Sequence, residues 1–145
     1  MTEDEFWDLV APLGTDADRD RATEELVELL SKKPMSDIHE FQDWVAAKLY
    51  ALDGSNWWDD DDNHSGDSFL YARCAVVAGG RTLYERVLSD PSQMLRQDYE
   101  FEALIRIARK AAERHGGAGA GHQSPVSWET WSNEAQWREQ WANNL

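Results

Sequence analysis

Apolar residues recur along this chain at steps of three and four, the period of an amphipathic helix, and nowhere alternate with polar ones long enough to insist on a strand. Phe6, Leu9 and Val10 form the stripe of a short first helix, opened by Thr2 and Glu5 at capping-box spacing and ended by Gly14. Ala22, Leu26, Leu29 and Leu30 share one face of a second, opened by Asp16 or Asp18 and closed by Lys32, Lys33 and Pro34. Behind a Ser36 cap, a third carries Ile38, Phe41, Trp44, Val45, Leu49 and Leu52 and stops at Gly54. Phe69, Val76 and Val77 mark a fourth, which starts at Asp67 or Ser68 and runs to Gly79. A fifth lies between Gly80 and Pro91, with Leu83, Tyr84, Val87 and Leu88 on its apolar side. Phe101, Leu104, Ile105, Ala108 and Ala112 predict the sixth, ending in Arg109, Lys110, Arg114 and His115 with Gly116 as cap.

The expected architecture is therefore all-α or α-dominated, a compact bundle of about six helices over residues 1–115. A Gly-rich linker, 116–125, would join it to a Trp-rich C-terminal segment, 126–145, that packs back on the domain. The run Gly116–Gly121 follows no strand and opens no helix, which sets it apart from a phosphate-cradling loop. On one continuous helix at about 100° per residue, Trp128 and Trp131 would face away from Trp137 and Trp141, so a break at Ser132 or Asn133 is predicted.

Charge changes this picture. The 145 residues carry a net charge of −14, and all of it sits in residues 1–67, where 19 acidic side chains face five basic ones. Residues 68–145 hold nine of each sign. An acidic surface repels nucleic-acid phosphates and suits a basic protein partner. Mean hydropathy is −0.70, and no apolar run approaches the ~20 residues of a membrane span. MTEDEFWD at the start is unlike a secretory signal, and the lone Cys74 allows no disulfide within the chain, so the expected location is the cytoplasm.

Eight Trp residues accompany the charge. Trp7 and Trp44 fall on apolar helix faces. Trp57 and Trp58 stand in a polar loop beside Asp59, Asp60, Asp61 and Asp62, and Trp128 and Trp131 follow the glycine run. These eight positions form the candidate partner-binding set, with the carboxylates steering approach and the indoles anchoring contact. Two other readings attach to the same loop. Asp61, Asn63, Ser65 and Gly66 match the opening places of a calcium loop, but place twelve, where a bidentate Glu should close the cage, is Ala72, and place eight is Ser68. A looser calcium or magnesium site would use Asp61, Asn63, His64 and Asp67. Alternatively, residues 57–67 would serve a metal-dependent or hydrolytic enzyme with His64 and Asp67 as acid–base groups, although Ser65 and Ser68 sit in no nucleophile elbow. A Trp-lined small-molecule pocket is the third class. Arg81 is badly placed for its own helix dipole, which makes Asp67 its candidate partner in a structural ion pair or clamp. The leading expectation is a non-enzymatic acidic interaction protein that neutralises or regulates a basic partner.

The run DSFLYARCAVVAGGRTLYERVLSDP, with FWDLV near the start, resembles the bacterial family of unknown function DUF4240. The residues that carry the resemblance are Phe6, Trp7, Asp67, Ser68, Phe69, Gly80, Arg81, Asp90 and Pro91, and FEALIRIARKAAERHGG looks like the family's final helix. It covers roughly residues 3–117 and implies a compact α-helical domain, with no activity attached.

Overall fold

A computed structural model describes residues 1–62, 65–96, 98–116 and 121–137. It contains α1 (Glu3–Thr15), α2 (Arg19–Ser31), α3 (Met35–Ala51), α4 (Gly66–Ala78), α5 (Arg81–Ser89) and α6 (Ile107–Gly116), with no strand among the described residues. Short 3-10 turns lie at Asp60–Asp62, Pro91–Gln93 and Glu102–Arg106. The fold is all-α.

The local signals act as capping chemistry requires. The Glu5 amide donates to Thr2 Oγ1 at 3.1 Å while the Glu5 carboxylate accepts from the Thr2 amide at 2.8 Å, so two donors orphaned at the start of α1 are satisfied reciprocally. Asp18 accepts from the Arg21 amide and opens α2. Three boundaries differ from the sequence reading. α3 begins at Met35 behind Pro34, whose fixed φ suits the residue before a helix, so Ser36 is not its cap. α4 begins at Gly66, because Ser65 and Ser68 form a mutual capping box that places Asp67 in the first turn. The sixth apolar stripe is split: extended Phe101 is tied to α4 by its amide bond to the Tyr71 carbonyl, 3.1 Å, and the chain passes through the 3-10 turn before α6.

α4 organises the bundle. From Phe69 on it is buried almost all round, with Phe69, Leu70, Ala72 and the run Cys74–Ala78 apolar and Arg73 the one charged side chain among them, and a helix with so little polar face must be enclosed. It packs against α1, α3, α5 and the 102–106 turn, while α2 lies along α6 on the far side. Burial pushes the Cys74 thiol up to about 12 and keeps it protonated and inert.

Two glycines are required. Gly80 has φ of +102°, which lets the chain reverse from α4 into α5 without strain. At Gly14, a Cβ would lie 2.8 Å from the Ala78 carbonyl oxygen and 2.9 Å from the Gly79 carbonyl, so α1 meets the end of α4 backbone to backbone. Gly14→Ala gains about 1 kcal/mol of helix propensity. It must also displace main chain rather than a flexible side chain, a cost of about 1–3 kcal/mol. The expected result is a net loss, read as a lower urea midpoint.

Candidate functional site

The acidic loop is a folded turn rather than a string of repelling charges. Asp59 Oδ1 accepts from the Asp61 amide at 2.9 Å, and the Asp62 amide bonds to the Asp59 carbonyl at 3.1 Å. Asp60 Oδ1 accepts from the Trp58 indole at 2.9 Å, which pins an exposed carboxylate to a half-buried ring. Asp59, Asp60 and Asp61 are exposed, while Asp62 turns inward and pairs with Arg96 at 3.0 Å. Between this turn and residues 91–96 runs a cleft of about 640 Å³, with Trp57 and Trp58 on one wall and Met94 and Leu95 on the other. A hollow of about 670 Å³ also lies along α2, where Lys32 pairs with Glu28 at 3.6 Å and Arg114 with Glu24 at 2.6 Å.

Two sequence assignments need correction. Trp57 is 7% exposed, and its indole donates to the Val87 carbonyl at 2.9 Å. It is a core side chain beneath the loop that shows only an edge to the cleft, because the backbone carries the ring inward where period alone gives no signal. Nor do Asp67 and Arg81 pair. They stand in the first turn of α4 and just past its end, about 20 Å apart at the helical rise of 1.5 Å per residue. Arg81 bonds instead to Asp4 at 2.7 Å, Glu85 at 2.9 Å and Glu3 at 3.0 Å, tying α5 to the acidic first turn of α1. Those carboxylates hold its guanidinium above its ordinary value.

For the cation reading, Asn63 and His64 lie outside the described residues. Asp61 and Asp67 are exposed, and no group of three or more His, Cys, Asp or Glu side chains is disposed to hold a metal ion among the described residues. No described helix is long and apolar enough to cross a membrane.

The most constrained polar cluster was not singled out in the sequence. Asp53, with 0% exposure, accepts from the Asn133 amide at 2.9 Å, the Trp137 indole at 2.9 Å and the Trp131 amide at 3.0 Å. Arg73, also fully buried, donates to the Leu49 carbonyl at 2.9 Å, Thr130 Oγ1 at 3.0 Å and the Trp128 carbonyl at 3.1 Å. Burial pulls the Arg73 guanidinium down, and the Asp53 charge opposes that. Trp137 is 1% exposed, with Trp58 5.8 Å and Phe69 5.9 Å away between ring centres. The predicted break falls at 132–133, after which residues 134–137 turn helical. Trp128 is half-buried. Trp131 is 47% exposed, has φ of +74°, and lies 6.0 Å from Trp58. A left-handed backbone costs a non-glycine residue on the order of 1–2 kcal/mol. Here the Asp53 bond holds it, and the ring is directed to the surface beside the acidic turn. One signal was available: a lone Arg in an otherwise apolar helix needs buried acceptors.

Fold and site thus define an all-α domain with an acidic, tryptophan-flanked surface. Residues 1–114 match the family described as protein of unknown function (DUF4240), and the chain belongs to that family. No curated protein and no solved structure matches it. The residues that carried the resemblance have structural work in this fold. Phe6, Trp7 and Phe69 are core, Ser68 closes a cap and Gly80 makes a turn. Arg81 ties α5 to α1, and Asp90 caps the turn at Pro91 through the Ser92 amide, 3.1 Å.

Proposed function

We propose that this chain is a cytoplasmic, non-catalytic binding protein that captures a basic protein partner at the acidic turn 59–61. The observation that carries the reading is the arrangement of Asp59, Asp60 and Asp61: three exposed carboxylates fixed in one turn on the rim of a 640 Å³ cleft. They belong to the half of the chain that holds the whole net charge of −14. A Lys or Arg side chain entering there meets carboxylates for its head group, and the half-buried Trp58 offers a flat apolar wall for its methylene stem. Trp131, 47% exposed and adjacent to Trp58, takes the anchoring role in this reading in place of the largely buried Trp57.

Exposed charge acts mainly on encounter, and a ring buried on binding acts mainly on escape. With an immobilised lysine-rich peptide as probe, replacing Asp59, Asp60 and Asp61 together by Asn is expected to slow association about tenfold at low salt. Its dissociation should change little. Trp131→Ala should do the reverse. About 0.5 M salt should erase the difference between the wild-type and the triple variant, the Debye length being then roughly 4 Å. Equal association rates for the two at low salt would reduce the turn to solubilising surface.

A further inference from the structure

We propose that the groove between the end of α3 and the first half of α4 is a peptide-binding site, and that residues 128–137 are its built-in occupant. The matched family unit ends at residue 114, so the occupant comes from outside it, across a run with four glycines in the six residues 116–121. Within that unit the groove holds two fully buried groups of opposite charge, Asp53 and Arg73. Among the described residues every side-chain hydrogen bond of Asp53, and two of the three of Arg73, go to the C-terminal segment. A core carboxylate whose donors all lie on a segment beyond the family unit is built to receive that segment, since a buried charge without partners is costly.

The groove reads peptide chemistry in two directions. Asp53 collects N–H groups: two amides from main chain two residues apart and one indole. Arg73 collects oxygens: a main-chain carbonyl and a hydroxyl. Further bonds repeat the pattern. The Asn133 amide group donates to the Tyr50 carbonyl, and that of Gln136 to the carbonyls of Ala51 and Asp53, each at 3.0 Å, while the Ser55 amide returns a bond to the Gln136 carbonyl at 3.2 Å. The Tyr50 carbonyl also accepts from the Asp53 amide at 3.1 Å, and the segment adds side-chain donors to the carbonyls at this end of α3, where the helix itself runs out of them. The ligand class that fits is an extended peptide that turns helical, with a Thr hydroxyl, an Asn and Gln three apart, and a Trp seven residues after the Thr. A tethered occupant sits at an effective concentration in the millimolar range, so a free peptide enters only when the tether is cut or the occupant is withdrawn.

The test uses the full chain. A protease recognition sequence placed between Gly116 and Gly121, at either of which an added Cβ meets nothing within 4 Å, allows the folded protein to be nicked. After nicking and dilution, the C-terminal fragment should dissociate and leave a body that still melts cooperatively. A labelled synthetic peptide of residues 122–145 should then bind that body saturably. Variants are placed in the peptide, so folding of the protein is not at issue. Trp137→Phe, which keeps an aromatic ring but removes the indole donor, and Thr130→Val, which removes the hydroxyl, should each weaken binding at least tenfold. Glu134→Gln, at an exposed position, should leave it unchanged. Release of the fragment only on global unfolding would overturn the proposal and make the segment ordinary core. Equal affinity of the Trp137→Phe peptide would overturn it as well. None of these readouts involves Asp59, Asp60 or Asp61, so this proposal and the acidic-turn reading fail separately.

Discussion

Trp57→Ala is expected to lower the free energy of unfolding by about 3–5 kcal/mol, the cost of emptying a core site of a large aromatic ring. The ring is 7% exposed and bridges the loop after α3 to α5 through its 2.9 Å bond to the Val87 carbonyl. A Cβ added at Gly54 would lie 3.2 Å from the same ring, so the neighbouring main chain already rests on it and has little room to collapse inward. Truncation therefore leaves both a cavity and a carbonyl without its donor. Trp57→Phe separates the two costs. Most of the volume returns, and the remaining loss of about 1–3 kcal/mol reports the unsatisfied Val87 carbonyl. Urea melts of the two variants measure the difference. Probe dissociation from Trp57→Ala, measured where the variant is still folded, should match the wild type. Unchanged stability with accelerated dissociation would return Trp57 to the surface role its polar neighbours suggested.

That contrast shows where the sequence was legible. Periodicity placed six helices, since burial of one face repeats locally along the chain at every turn. Caps at Thr2 and Asp18 were readable too, because their partners lie three residues away. The loop 53–62 has no period, and adjacency to four Asp says nothing about which way a backbone turns its rings. Trp57 goes in, Trp58 lies half-way, and Asp62 goes in to meet Arg96, a partner 34 positions on. Arg81 failed for a related reason. Its need for carboxylates was visible, but the choice between Asp67 and the first turn of α1 depends on how α1 and α5 come together, 77 positions apart. The Asp53–Arg73 groove lies furthest from view, because its bonds to the C-terminal segment span between 55 and 84 positions. Its one local trace, Arg73 among apolar neighbours, shows that a buried acceptor must exist and not where it comes from.

Asp53→Ala is expected to be the other large effect, about 3–5 kcal/mol, typical of breaking a buried charged site by removing one partner. Three donors lose their acceptor at once, and Arg73 loses the nearby countercharge that opposes its desolvation. Each stranded donor costs about 1–3 kcal/mol while it stays buried, so simple addition would exceed the stated range. The excess does not accumulate, because the segment can let go and give its donors to water. The docking free energy of residues 128–137 is thus a ceiling on the loss. Asp53→Asn retains the shape and one acceptor oxygen and should recover about half. Where the loss appears is as informative as its size. If the segment is an occupant, Asp53→Ala should open 121–137 to protease while α1 to α6 still unfold as one transition at nearly the wild-type urea midpoint. If the segment is core, the whole domain should melt early and no proteolytic intermediate should accumulate. Glu134→Ala, on an exposed position of the same segment, should stay within about 0.5 kcal/mol and resist protease like the wild type.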